Sequence, residues 1–528
     1  MTLKVLSNKR NVVSALALSA AMLTPAATWA GEVTLKSADG TVNLIGEFID
    51  FADNNYVIRT GLGDLRISAA RVRCEGESCP DFASTTADVR FAGSDTVGEG
   101  VMPLLLSGYA AYLGAEATVT ATGADDEILA ELVGEEGFGD PVGSYLVTST
   151  GSGDAFRTLL SGTAQVGMAS RRITPDEARA LRDAGAGNMV SPSQEHIIAV
   201  DSLIVITNPE NPVTRLTMDQ LRGIYGGQIT NWSEVDGANR PIKVSDRPES
   251  SGTGAVFRDR VFGDNAPATL SSATIIASNN DTAAFVNEDP DAIGFVGYAF
   301  QRGAQAVKLV NECGLTMSPD AFSARTEEYA LQRFLYLYSR EDMAEDAAKA
   351  FLDYSTSDDA DEVIAKAGFI DLGVDRRPQE LDGDRARQLL DPNVDAYEGG
   401  IMREMLSQMV YYDRLSTTFR FRTGSQALDP RGLLNLARLA DYLEKQPEGT
   451  KILFVGFTDD VGAFDSNRDL SIARAQQVMA TLTEFSAGRL DGVQMASAGY
   501  GEVAPSACNT TENERRINRR VEVWIQSE

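Results

Sequence analysis

Histidine is almost missing from this chain: His196 is the one example among 528 residues. A Ser/His/Asp triad would have to use it, yet it stands beside Ile197 and Ile198, an apolar setting that suits a structural role. No Gly-x-Ser-x-Gly elbow adjoins it, and no phosphate-cradling loop ends in Lys-Ser or Lys-Thr. Hydrolase chemistry therefore lacks its constellation, and the expectation is a protein that is no enzyme and needs no cofactor. Basic charge is short as well: 47 Lys and Arg against 76 Asp and Glu leave a net charge of −29. That balance excludes nucleic acid as a whole-chain partner, because phosphate backbones want basic surface. It also makes carboxylate pairs too plentiful to signal catalysis. Cysteine is limited to four residues, with no Cys/His cluster to hold a metal.

Long apolar runs are missing too, apart from Val12 to Leu23. Lys4, Lys9 and Arg10 precede that run and Thr28-Trp-Ala30 follows it, a secretory signal pattern over residues 1–30 with a cut after Ala30. The run is short for a transmembrane anchor, the competing reading. No cysteine follows the expected cut, so a lipid anchor is not indicated. The mature chain is expected to be exported, without a membrane-spanning segment. Its length implies three or four domains.

Residues 31–85 read as a small antiparallel β module. Val33-Thr-Leu-Lys, Val42-Asn-Leu-Ile and Tyr56-Val-Ile-Arg are short alternating runs between Asp-Gly, Asn-Asn and Gly-Leu-Gly-Asp turns. Cys74 and Cys79 close it, and their spacing in an exported chain suggests a local disulfide, with zinc the poorer alternative. Cys313 and Cys508 lie in different regions and stay unassigned.

From about Asp88 to Val374, strand and helix patterns alternate as in an α/β domain. Three strand-turn-helix units carry Gly and hydroxyls at the helix start. They are Arg90-Phe-Ala-Gly-Ser-Asp-Thr96, Tyr145-Leu-Val-Thr-Ser-Thr150 with Gly151-Ser-Gly153, and Val244-Ser-Asp-Arg-Pro-Glu-Ser-Ser-Gly-Thr253. Exposed backbone N–H groups at such helix starts attract oxyanions, and Arg247 adds a forked, charge-assisted contact. An ordinary N-cap is the plain reading of any one turn; three turns converging on one anion at strand carboxyl ends is the reading of all.

The run Asn208-Pro-Glu-Asn-Pro-Val-Thr-Arg-Leu-Thr-Met-Asp-Gln-Leu-Arg-Gly-Ile-Tyr-Gly-Gly-Gln-Ile-Thr-Asn-Trp-Ser-Glu-Val235 resembles the signature of PstS-like phosphate-binding proteins of ABC importers. Gly162-Thr-Ala-Gln-Val-Gly-Met-Ala-Ser-Arg171 and Ile293-Gly-Phe-Val-Gly-Tyr298 are similar to other stretches of that periplasmic family. The resemblance implies a two-lobed α/β periplasmic-binding-protein fold over 88–374, with phosphate or a similar oxyanion in the interlobe cleft and an importer permease as partner. Carried over, the ligand positions are Ser94, Asp95, Thr96, Val97, Ser152, Ser170, Arg247, Ser251, Gly252 and Thr253. Many members have an aspartate where Ser170 aligns, accepting the proton that phosphate keeps near neutral pH; Asp95 is the candidate to replace it here, or else it caps the helix that follows.

A charged, Pro-bearing stretch, 375–406, reads as a linker with some helix, spanning roughly 30 Å if flexible. Beyond it, 407–528 alternates strand and helix: Thr418 to Arg422, Leu433 to Gln446, Lys451 to Phe457, Ser471 to Phe485 and Val521 to Ile525. Gly456-Phe-Thr-Asp459, Gly462, Asn467, Leu470-Ser-Ile-Ala-Arg-Ala475, Gly499-Tyr-Gly-Glu502, Pro505 and Asn518-Arg-Arg-Val-Glu522 resemble the OmpA-type peptidoglycan-binding domain, a βαβαβ fold. The resemblance implies that Asp459 and Arg474 hold the amino and carboxylate groups of diaminopimelate in a stem peptide, with Asn467 and Arg519 beside them. A zwitterion needs that carboxylate and guanidinium; an ion pair between the two is the plain alternative. The expected whole is a multidomain chain in the periplasm, bound to peptidoglycan, with the outer membrane as a further attachment. The competing reading is a structural or sensory envelope protein that uses the solute-binding fold as scaffold.

Overall fold

The computed structural model describes residues 32–527, except 38–42, 53–54, 62, 69–71, 77, 80–86, 123, 125, 138, 249–250, 264–266, 268–269, 277, 343–345, 381–382, 384–385, 388–394, 426–427 and 429. The expected signal segment, 1–30, lies outside the described residues. The chain divides into two compact units, 1–81 and 82–528.

In the first unit, alternation decides the sheet. Val33, Leu35, Tyr56 and Ile58 point to one face and are buried. β1 (Glu32–Lys36), β2 (Asn43–Ala52), β3 (Asn55–Thr60), β4 (Gly63–Ser68) and β5 (Arg73–Glu75) form an antiparallel sheet in the order β4-β3-β2-β1-β5. Cys74, in β5, is bonded to Cys79.

The second unit begins with β6 (Val89–Gly93). After it come β7 (Ala115–Ala121), β8 (Glu127–Val133), β9 (Pro141–Ser149), β10 (Val166–Ala169) and the long β11 (Glu195–Thr207). β12 (Arg215–Thr217), β13 (Lys243–Asp246), β14 (Thr274–Ile275), β15 (Ala292–Gly297), β16 (Gln305–Ala306), β17 (Lys308–Val310), β18 (Thr316–Met317) and β19 (Gln332–Ser339) complete the α/β region. One sheet runs β14-β13-β15-β11-β19-β10-β6-β9-β8-β7, with β16 also on β11. β11 is shared between two lobes: Glu195 to Ser202 pair with β19, and Leu203 to Thr207 pair with β15. The partner change at Ser202/Leu203 marks the hinge. One core, around Phe91, Leu105, Val147 and Phe351, lies on one side of it. Another, around Leu221, Trp232, Phe257 and Phe295, lies on the other.

The last domain is a sheet in the order β20-β21-β24-β22-β23. Its strands are β20 (Arg376–Arg377), β21 (Tyr412–Arg420), β22 (Lys451–Gly456), β23 (Gln494–Gly499) and β24 (Arg520–Gln526). Helices Pro430–Glu444 and Phe464–Ser486 bury Leu436, Leu439, Val478 and Leu482 against it. Two sequence expectations change here. β23 escaped the sequence reading because Gln-Met-Ala-Ser-Ala-Gly has no β-branched residue; it is an edge strand parallel to β22. The stretch 375–406 is not a free linker where it is described. β20 extends this sheet, and helix Ala396–Met409 buries Ile401, Met402 and Met405 against Leu453, Val455 and Trp524.

The C-terminal domain is docked on both lobes. Cys508 is bonded to Cys313, in the loop between β17 and β18. Glu327 accepts from Arg431 and Arg516, and Arg414 forks onto Glu328 at 2.7 and 3.0 Å. Arg438 reaches the other lobe, at Asp361 (2.6 Å) and the Thr356 carbonyl (2.8 Å). Among the described residues no helix is long and apolar enough to cross a membrane.

Candidate functional sites

β6 is parallel to both β9 and β10, in registers that pair Gly93 with Ser149 and with Met168. Their carboxyl ends therefore share one edge, which brings Ser94, Ser152 and Ser170 together. Gly93 (φ +137°) makes the turn possible, since a Cβ there would lie 2.1 Å from the Met168 carbonyl. The Ser94 N–H donates to that same carbonyl at 2.8 Å. Ser170 donates its N–H to Ser152 Oγ at 3.0 Å, and the two hydroxyls are 3.1 Å apart. Ser94 is fully buried, and its Oγ has no partner among the described residues. Val97 turns its side chain into the lobe's core, leaving only its main chain for a ligand.

Across the cleft, β13 ends at Asp246, Arg247 follows, and Ser251 caps helix Gly252–Phe262 by accepting from the Gly254 N–H at 3.2 Å. Arg247 is buried and donates from Nη1 to Asn279 Oδ1 at 2.9 Å. Burial lowers the Arg247 pKa; Asp95 opposes that lowering and Arg333 adds to it. A guanidinium keeps its proton regardless. Asp95 faces the first turn of the opposite helix, 3.9 Å from where a Gly252 Cβ would stand. Its Oδ1 accepts from the Thr96 N–H at 2.8 Å, so the carboxylate both ties its own short helix and looks into the cleft. Thr253 is buried in that same opposite first turn.

Sequence reasoning missed Arg333 and Asn279. Arg333 sits on β19 opposite Asp201 of β11, the hinge strand. Its Nε donates to Asp201 at 2.9 Å and its Nη2 to Thr96 Oγ1 at 3.3 Å, while Nη1 is buried with no partner among the described residues. The missed signal was a charge amid the apolar run of each of two strands, Asp201 and Arg333, since opposite buried charges pair. His196 lies on β11 with its Nε2 buried and without a partner among the described residues, and burial lowers its pKa.

In the C-terminal domain, Asp459 follows β22 and Arg474 lies on helix Phe464–Ser486. Both are buried, as are Asn467 and Arg519. Asp459 is paired with Arg519 at 2.7 Å rather than with Arg474. Arg519 also holds Glu512 (2.6 Å) and the Phe421 carbonyl (3.1 Å), and Asn467 donates to the Asp459 carbonyl at 3.3 Å. Arg474 packs over the Phe421 ring and donates to the carbonyls of Ser425 and Arg422; its Nη1 has no partner among the described residues. Burial lowers its pKa to about 10, against the pull of Asp459. The set offers one carboxylate and two guanidiniums at a buried position. The one group of metal-type ligands among the described residues, Glu312, Cys508 and Glu514, includes a sulfur already spent in a disulfide.

Two lobes around a shared hinge strand, with hydroxyls and arginines facing across the gap, define a solute-binding protein. Residues 82–359, just over half of the chain, match the PBP superfamily domain, and the chain belongs to that superfamily. Within it the chain is PstS-like, and residues 420–519 add an OmpA family domain. The phosphate-binding protein PstS of Bacillus subtilis (strain 168) is 27% identical over 235 residues, covering 44% of this chain and 72% of that protein. PstS of Staphylococcus saprophyticus is 28% identical over 235 residues, covering 42% and 70%. An ABC-type phosphate transport receptor from Vibrio cholerae, of known structure, is 25% identical over 54% of this chain and 99% of that one, with a TM-score of 0.41.

Proposed function

We propose that this protein binds orthophosphate in the interlobe cleft of 88–374 and holds peptidoglycan non-covalently through 407–528. The observation that carries the first half is the meeting of Ser94, with its unpartnered buried Oγ, and Arg333, with its unpartnered Nη1, opposite Arg247 and the helix start at Gly252. Buried donors of both lobes aimed at one gap suit a dehydrated tetrahedral anion. Asp95 supplies selectivity: its carboxylate accepts the proton of hydrogen phosphate, and it repels sulfate, which has none to give. Ser152 and Ser170 add hydroxyls, and Thr96, Val97, Ser251 and Thr253 line the two helix starts.

Equilibrium dialysis of the full chain with labelled phosphate tests this. The expected dissociation constant is micromolar or tighter, with sulfate a poor competitor in the native protein and a better one in Asp95→Asn. Strong competition by sulfate against the native protein would replace phosphate with a broader oxyanion class.

For the second half, Asp459, Arg519 and Arg474 supply the opposite charges that a zwitterionic diaminopimelate requires. The chain is expected to sediment with purified peptidoglycan, and Asp459→Ala or Arg474→Ala to stay in the supernatant. Retention of both variants on the wall would assign the pair to structure alone. We place the protein in the periplasm at the wall. The docking of the C-terminal domain on both lobes favours a fixed sensor or receptor over a diffusing carrier, and a permease partner would have to come to it.

A further inference from the structure

Between the two lobes and the C-terminal domain lies a cavity of about 1240 Å³. It is larger than the roughly 300 to 1,000 Å³ usual for small-molecule pockets. One lobe supplies Arg171 and Arg172, helix Gly252–Phe262 supplies Arg260, and the C-terminal domain supplies Arg422, Arg516 and Arg519. In all, nine arginines and four carboxylates line it, in a chain whose net charge is −29. Carboxylates behind the wall, Glu177, Asp201 and Asp459, hold Arg171, Arg333 and Arg519, which still leaves the arginines in excess. The excess has two sources. Glu327 alone faces three guanidiniums, those of Arg420, Arg431 and Arg516. Arg260 and Arg422 have no carboxylate partner among the described residues. Ser170 and Arg333, of the oxyanion cleft, also line this cavity, so the two share a wall.

We infer that this cavity is a second anion site, whose volume and excess of arginines suit a chain of linked phosphoryl groups of three or more units rather than a single phosphate. Planar guanidinium forks contributed from several sides of a space this large match repeated tetrahedral oxyanions, and low-dielectric walls focus their field. The site does not depend on orthophosphate occupying the cleft.

The test is calorimetric titration of the full-length, oxidised protein with tripolyphosphate and with longer linear polyphosphate, both in saturating orthophosphate. Binding is expected to persist there, to weaken as salt rises, and to survive in Arg247→Ala. The double variant Arg260→Ala/Arg422→Ala, altering two exposed side chains, should weaken polyphosphate at least tenfold and leave orthophosphate binding unchanged. Absence of polyphosphate binding, full displacement by orthophosphate, or an unchanged double variant would overturn the inference. So would equal affinity for polyglutamate of matched charge, since the site would then read charge and not phosphoryl geometry. If orthophosphate fails to bind but polyphosphate binds as described, the cleft assignment falls and this one stands.

Discussion

In the proposed site Arg333 joins stability to ligand chemistry in one side chain. Its guanidinium neutralises Asp201 inside the hinge and reaches Thr96 with a second nitrogen, leaving the third for an anion. Arg333→Ala is therefore expected to strand a buried aspartate, at about 3 to 5 kcal/mol, and to lose phosphate binding as well. Arg333→Ala/Asp201→Ala should recover much of the stability and none of the binding. Thermal melting with equilibrium dialysis of both variants separates the two effects; full phosphate affinity in the double variant would remove Arg333 from the site. Arg247 and the hydroxyl turns were legible in the sequence because each belongs to a local pattern, a strand end followed by a helix start. Arg333 was not, since its meaning arises from a cross-strand register linking residues far apart in the chain.

At the scale of elements, the cleft depends on where strands stop. β6 ends at a glycine whose positive φ turns the chain directly beneath the Met168 carbonyl. Gly93→Ala is expected to cost about 1 to 3 kcal/mol in backbone strain alone, and to push β6 from β10 so that Ser94 loses its place. Reduced melting temperature together with weakened phosphate binding is the expected outcome; an unaltered affinity would show that the turn tolerates displacement. The alternating α/β pattern and the helices of the C-terminal domain were legible because their apolar periodicity is strong. β23 was not, being built of small residues on a sheet edge. The stretch 375–406 looked like a linker by composition, yet β20 gains its order by pairing with β21, a contact that no local pattern announces.

At the scale of the whole molecule, the C-terminal domain is fastened to the solute-binding domain by charge and by sulfur. Burial alone would raise the Glu328 pKa, but Arg414 outweighs it and holds the carboxyl at about 2, below its ordinary 4.5. A depressed folded-state pKa gives stability that is complete above 4.5 and is lost as pH falls toward 2. The melting temperature of Glu328→Gln should thus lie below that of the native protein at pH 7, with the gap narrowing as pH drops through 4.5; a gap constant from pH 7 to 3 would contradict the ion pair. Removing the Cys313–Cys508 bond as Cys313→Ser/Cys508→Ser is expected to cost about 2 to 4 kcal/mol, seen as a lower melting temperature, while the Glu327 and Glu328 contacts keep the domains together. Sequence reading could not pair these cysteines, because only the docked arrangement brings Cys313 and Cys508 within bonding distance.

In the proposed function one tetrahedral anion sits between the lobes. Crystals of the full chain grown with arsenate, a heavier analogue of phosphate, test it most directly through the anomalous signal of arsenic. The expected result is a single strong peak enclosed by Ser94, Arg247, the start of helix Gly252–Phe262 and Arg333, with Asp95 in contact with one oxygen. A cleft without that peak, under conditions in which arsenate binds elsewhere on the protein, would contradict it.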